Sequence, residues 1–144
     1  MRKLILALML LAGCAPLKAT GAPEHCDKPS AAGIKRCEEV VASKDDPTTT
    51  WKTVTYSDRS KNIVDLEITF PRKMGEPIYV TALIVSSMAI LSPELTTDER
   101  GNLFKRLVQN ASKEQPAFIS AGKYEWTSFR TASDYTFRAT KQKK

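Results

Sequence analysis

The clearest periodicity in the chain is a strict alternation of apolar and polar residues from Ile63 to Phe70. Side chains two residues apart share one face of a strand, so this segment predicts a strand with one buried and one wet face. With the β-forming stretch Trp51–Tyr56 and the polar stretch Ser57–Asn62 before it, it predicts a hairpin over Thr48–Phe70. Asp65 and Glu67 share the wet face, and a solvated sheet surface explains them better than a catalytic carboxylate pair.

Helical signals are strongest from Thr96 to Ser112. Thr96 followed three residues later by Glu99 forms a capping box, in which each side chain reaches the other residue's backbone N–H. The apolar positions recur at helical spacing and predict one buried stripe. They are Leu103, Phe104, Leu107, Val108 and Ala111.

Two other segments are harder to assign. Ile78–Leu91 is almost wholly apolar, and periodicity cannot separate a buried helix from a long central strand. We favour the helix because of its length, with Pro77 suited to its first turn. In Cys26–Lys44, a capping Ser30 and an apolar set at helical spacing predict a short helix. The apolar set is Ile34, Cys37, Val40 and Val41.

Ala117–Lys141 returns to strands, with turn signals at Ala121-Gly122 and Ala132-Ser133. Aromatic residues at strand spacing in these arms favour a core position over a binding face. The predicted fold class is therefore α+β: a small single domain whose N-terminal and C-terminal hairpins form an antiparallel sheet packed against one or two central helices.

The first fourteen residues carry a different pattern. Arg2 and Lys3 precede an apolar run that is too short for a membrane span, which needs about 20 residues. Charge, run and a small-residue end are the parts of a secretory signal peptide. Leu11-Ala12-Gly13-Cys14 resembles the lipobox of bacterial lipoproteins. The resemblance implies cleavage between Gly13 and Cys14 and fatty acylation of Cys14.

Three regions follow from this resemblance: a signal peptide at 1–13, a lipid-anchored tether at 14–25, and an α+β domain facing the periplasm at 26–144. The tether is rich in proline and small residues and reaches at most about 35 Å when stretched. Ala15 follows the cysteine, and similarity to enterobacterial lipoproteins then implies sorting to the outer membrane. The expected location is the cell envelope, with acyl chains on Cys14 holding the protein to the membrane.

The lipoprotein interpretation also predicts the state of the other two cysteines. If Cys14 carries lipid, Cys26 and Cys37 remain, and export delivers them to an oxidising compartment. We therefore expect a Cys26–Cys37 disulfide. His25, Cys26 and Cys37 leave a structural zinc site one ligand short, since His25 is the only histidine. We expect no metal and no other cofactor.

Charge argues against a nucleic-acid partner. Loss of Arg2 and Lys3 with the signal lowers the formal net charge from +6 to +4, and the remaining basic residues are scattered rather than clustered. The basic end, Lys141, Lys143 and Lys144, is typical of a solvated terminus, with anionic lipid or an acidic partner as the alternative.

Catalytic motifs are absent from the sequence. His25 sits on the expected tether, where it is poorly placed to activate a nucleophile. We expect no enzyme, with a carboxylate-dependent glycan-cleaving enzyme as the remote alternative. The leading hypothesis is a lipid-anchored interaction module that binds a protein or an envelope component, of the immunity, inhibitor or exclusion type. The alternative is a structural lipoprotein subunit of a secretion, conjugation or other envelope assembly.

Overall fold

The structure, a computed structural model, describes residues 25–42, 46, 48–73, 77–111 and 116–143. The predicted signal peptide and Cys14 lie outside these residues. The described part of the chain contains seven strands and two helices. They are β1 His25–Cys26, β2 Lys35–Ala42, β3 Thr50–Ser57, β4 Ile63–Pro71, α1 Pro77–Leu91, α2 Thr97–Ala111, β5 Ala117–Ala121, β6 Tyr124–Arg130 and β7 Asp134–Lys141.

All neighbouring strands pair antiparallel, in one sheet of order β1-β2-β3-β4-β7-β6-β5. The four N-terminal strands follow one another, the two helices come next, and β7 returns to pair with β4. The fold class is therefore α+β, as the patterning predicts. The two helices lie between the N-terminal and C-terminal strands in chain order. The edges of the sheet are β1 and β5.

The predicted helix within Cys26–Lys44 is wrong. Residues Lys35–Ala42 form β2, and each of its eight residues pairs with one in β3. The error has a physical cause, because a spacing of four places Cys37 and Val41 on one side of a strand as well as of a helix. Both are buried. Ser30 forms a turn with Ile34 instead of capping a helix.

The predicted hairpin over Thr48–Phe70 is confirmed as β3 and β4, with a turn between them that is closed by Asp58 and Asn62. The alternation holds at Leu66 and Ile68, which are buried. It fails at Val64, because a bulge opposite Tyr56 and Ser57 shifts the register by one residue. Ile63, not Val64, packs against the core as a result.

The apolar segment that periodicity left open is a helix, α1, which begins at Pro77. It is apolar on every side. Among residues 80–91 of this helix, the buried ones are Val80, Ile84, Ser87, Met88 and Leu91. Within the described residues, no helix is long and apolar enough to cross a membrane.

The predicted capping box at the start of α2 is confirmed. The Glu99 carboxylate accepts from the Thr96 backbone N–H at 2.7 Å, and the Glu99 N–H donates to Thr96 Oγ1 at 3.3 Å. Leu103, Leu107 and Ala111 are buried along one side of the helix. Val108, which the sequence placed in the same stripe, is 48% exposed.

The helices cover one side of the sheet, which we call the inner face. Its core residues come from β4 to β7 and pack with α1 and α2. On the sheet they are Leu66, Ile68, Ile119, Tyr124, Trp126, Phe137 and Ala139. The prediction that the aromatic residues of the C-terminal strands belong to the core is confirmed by Tyr124, Trp126 and Phe137. The opposite side is the outer face.

Candidate interaction surfaces

The N-terminal edge of the sheet is closed by the predicted disulfide. Cys26 lies directly opposite Cys37 in the β1–β2 pairing, and a Cys26–Cys37 bond joins them with a Cα–Cα distance of 4.1 Å. Strand β1 has only two residues, so its pairing alone is small. The disulfide therefore fixes β1 to β2, at the point where the chain enters the sheet.

Charged side chains surround this edge. The Arg36 guanidinium donates to Glu38 and lies 3.6 Å from Asp27. The hydrogen bond to Glu38, followed by one to Tyr56, raises the pKa of Arg36. His25 belongs to β1 and not to the tether, and its Nε2 lies 3.5 Å from the Asp27 carboxylate while the ring is exposed. Arg36 therefore forms a surface ion-pair cluster with Asp27 and Glu38, and His25 contacts the same Asp27 carboxylate.

The centre of the outer face holds a second ion pair. Both carboxylate oxygens of Asp65 accept from Arg138 Nε, at 3.0 and 3.1 Å, and Arg138 Nη2 also donates to Asp65. This bonding raises the pKa of Arg138. The sequence prediction that Asp65 and Glu67 share a sheet surface is confirmed by their pairing register with β7. The Asp65 carboxylate is therefore held in an ion pair with Arg138, as expected of a structural role.

The C-terminal edge differs in its chemistry. Strand β5 pairs with β6 along all five of its residues and carries no charged side chain. Ile119 points to the inner face and is buried, whereas Phe118 is 63% exposed and is the most exposed large hydrophobic residue in the described chain. The sequence pattern predicts strands here but does not single out Phe118. The signal in the sequence that could identify Phe118 is an uncharged strand that follows a proline and contains one aromatic residue.

A polar cluster lies beside the β5–β6 turn. Gly122 has a φ of +61°, and a Cβ there would stand 2.2 Å from Glu94 Oε1, so any other residue would be strained and would displace the Glu94 side chain. The Tyr124 hydroxyl donates to the Ile63 carbonyl at 2.6 Å. Burial, with smaller contributions from Asp58 and Glu94, raises the pKa of Tyr124. The cluster ties the turn to the segment between the two helices and to the start of β4.

Three further predictions from the sequence concern a metal site, the basic C-terminal end and the lipid attachment site. Among the described residues, no group of three or more His, Cys, Asp or Glu side chains is arranged to hold a metal ion. Lys141 ends β7 and is exposed, as is Lys143, while Lys144 lies outside the described residues. Cys14, the predicted lipid attachment site, also lies outside them.

Comparison with known proteins adds no assignment: no family model, no curated protein and no solved structure matches the chain.

Proposed function

We propose that the protein is a lipid-anchored protein of the bacterial cell envelope whose domain faces the periplasm and binds a protein or an envelope component. The motif Leu11-Ala12-Gly13-Cys14 is the observation that carries this proposal. Charge, short apolar run, small residues and cysteine follow one another in the order that lipoprotein signals require. Acyl chains on Cys14 would attach the domain stably, because two or more chains are needed for lasting membrane binding.

The disulfide supports the same location. A bond between Cys26 and Cys37 persists in an oxidising compartment, and disulfides are rare in the cytosol. The third cysteine, Cys14, is then the one left for acylation. Each of the three cysteines has a role in this account.

The strand order supports a division between the proposed anchor and the proposed binding surface. The tether joins the domain at β1, one edge of the sheet, and β5 forms the other edge. Six strand spacings of about 4.8 Å put the two edges roughly 29 Å apart. The β5 edge therefore stands away from the proposed attachment point, where a partner can reach it and the neighbouring part of the outer face. A binding role suits these surfaces better than catalysis, because β5 is uncharged and Asp65 and Glu38 on the outer face are each held by an arginine.

Substitution of the anchoring cysteine tests the location. Cys14→Ser should leave uncut precursor without fatty acid, whereas the matched control Ala15→Ser should be cut and acylated normally. Metabolic labelling with a fatty-acid analogue and fractionation of the envelope measure both properties. Normal processing and membrane retention of Cys14→Ser would refute the lipoprotein assignment.

Crosslinking in the native envelope tests the binding role. Photo-crosslinkers introduced on the outer face, at Lys52 and Thr140, should capture one partner at one-to-one stoichiometry. A crosslinker at Lys105, an exposed residue of α2 on the helical side of the molecule, is the control and should not capture it. Incorporation into a large, detergent-stable complex instead would favour a structural subunit of an envelope assembly.

A further inference from the structure

We propose that a second copy of the chain pairs with this one through strand β5, joining the two sheets edge to edge. Among the described residues, strand β5 has a neighbouring strand on one side only, and its residues Ala117–Ala121 pair with β6 without a bulge. A free edge presents unpaired backbone N–H and C=O groups, which another strand can satisfy. The surface is therefore ready for β-strand addition.

Strand β5 lacks the features that usually block an edge. Natural edges are protected by charged side chains, proline, bulges or extreme shortness. The β1 edge has two of these, since it is two residues long and lies beside Asp27 and Arg36. Strand β5 has five residues, none of them charged or proline.

The β5 sequence complements itself. An antiparallel pair with a two-fold axis at Ile119 places Ala117 opposite Ala121 and Phe118 opposite Ser120 of the second copy. Every pair is neutral, so no like charges meet across the axis. Isologous contacts of this kind are the commonest way in which identical chains associate.

Phe118 would gain most from this pairing. It lies on the outer face, and in the two-fold arrangement the two Phe118 side chains occupy diagonal positions across the new strand pair. Diagonal neighbours lie about 7–8 Å apart, within reach of aromatic side chains. The 63% exposed ring of each copy would then be covered by the other. The helices of both copies would lie on the same side of the joined sheet, with the two β1 edges at its far ends.

The membrane anchor makes this association effective. Five paired residues form a contact well below the standard interface of about 1,600 Å², so we expect weak association in dilute solution. Two copies held on one membrane surface have a raised effective concentration. This step rests on the lipid anchor proposed above, and the experiment is arranged so that failure of the anchor and failure of the pairing are seen separately.

The test uses the full-length acylated protein in phospholipid vesicles, with Ser120→Cys as the crosslinking site. Two such cysteines would occupy diagonal positions, about 7–8 Å apart, within the span of a short bismaleimide. Flotation of the vesicles reports the anchor, and a covalent dimer on a denaturing gel reports the pairing. Ser60→Cys, in the turn between β3 and β4, is the control site and should give no dimer.

A second substitution separates edge pairing from random encounter. Phe118→Glu added to Ser120→Cys places like charges on either side of the axis and removes the apolar contact, so we expect dimer yield to fall about ten- to hundredfold. Val85→Glu, at an exposed residue on α1, is the matched control and should leave the yield unchanged.

Protein that floats with the vesicles but gives no more dimer from Ser120→Cys than from Ser60→Cys would overturn the proposal and leave β5 to a different partner. A yield that Phe118→Glu leaves unchanged would overturn it as well. Protein that does not float contradicts the lipid anchor, and the dimer is then measured at high protein concentration in detergent, where its absence overturns the pairing.

Discussion

The two edges of the sheet end in opposite ways. The β1 edge is two residues long, is joined to its neighbour by the Cys26–Cys37 disulfide, and is bordered by the ion pairs of Arg36. The β5 edge is five residues long and uncharged, and it carries the exposed ring of Phe118. The disulfide and the ion pairs protect the β1 edge. The β5 edge leaves backbone groups and an apolar side chain accessible to another strand.

With the lipid anchor proposed above, the two edges would have different tasks. The proposed tether would join the domain at the β1 edge, so a pull from the membrane would act on a two-residue strand that backbone pairing alone would hold weakly. A covalent bond resists that pull. The β5 edge is roughly 29 Å away and is supported from the inner face by α2, whose residues share a core with Ile119. It can therefore stay unpaired without loss of the fold.

The largest effect on the free energy of unfolding is expected in α2, the helix that packs behind β5 and β6. Leu107 on α2 is fully buried, and its carbonyl accepts a hydrogen bond from Ser128 of β6. Leu107→Ala should lower the free energy of unfolding by about 2–5 kcal/mol, because it leaves a cavity in the core. Urea unfolding followed by tryptophan fluorescence measures this, with the exposed Val108→Ala on the same helix as control. Equal effects of the two substitutions would contradict the described packing of α2.

Removal of the disulfide should have the next largest effect. The paired substitution of Cys26 and Cys37 by alanine should cost about 3 kcal/mol, the value expected for a closed loop of this length. Amide hydrogen exchange should show loss of protection concentrated at β1 and β2, with β5 and β6 unchanged. Uniform loss of protection across the sheet would show that the bond supports the whole fold and not one edge.

Acid should weaken the start of α2. Hydrogen bonds from the Thr96 backbone N–H and hydroxyl lower the pKa of Glu99 below its ordinary value of 4.5. A carboxyl whose pKa is lowered by folding contributes stability above its unfolded pKa, and that contribution is lost as the pH falls through the folded value. Stability measured between pH 6 and pH 3 should therefore decline on the acid side of 4.5. Glu99→Gln should flatten that decline, and an unchanged slope would show that the capping box is not its source.

The smallest effect on stability is expected at Phe118. Because its ring is exposed, Phe118→Ser should change the free energy of unfolding of the monomer by no more than about 0.5 kcal/mol. Thermal unfolding of dilute protein checks this, with Ile119→Ala on the inner face of the same strand as the destabilising comparison. A large loss of stability in Phe118→Ser would mean that Phe118 supports the fold of the monomer and is not available to contact a partner.

Local patterns predicted most elements because their periods were unambiguous. Strict alternation gave β4, and the Thr96–Glu99 pair gave the start of α2. The sequence could not give β2, since the spacing of Cys37 and Val41 fits two periods at once. It could not give the bulge at Val64 either, because a bulge depends on the pairing with β3 and not on the residues of β4 alone.

The interaction surfaces were harder to predict for a related reason. Phe118 lies among other aromatic residues at strand spacing, and most of those are core. Only the strand order shows that β5 is an edge and that Phe118 faces away from the helices. The partner of Asp65 was likewise hidden, because Arg138 is 73 residues away along the chain.

The most direct test of the account is the intact mass of the natural protein purified from the bacterial envelope. We expect a chain that begins at Cys14, carries fatty acyl groups on that residue, and shows no thiol that can be alkylated until Cys26 and Cys37 are reduced. A water-soluble protein free of fatty acid, or one with two free thiols, would contradict it.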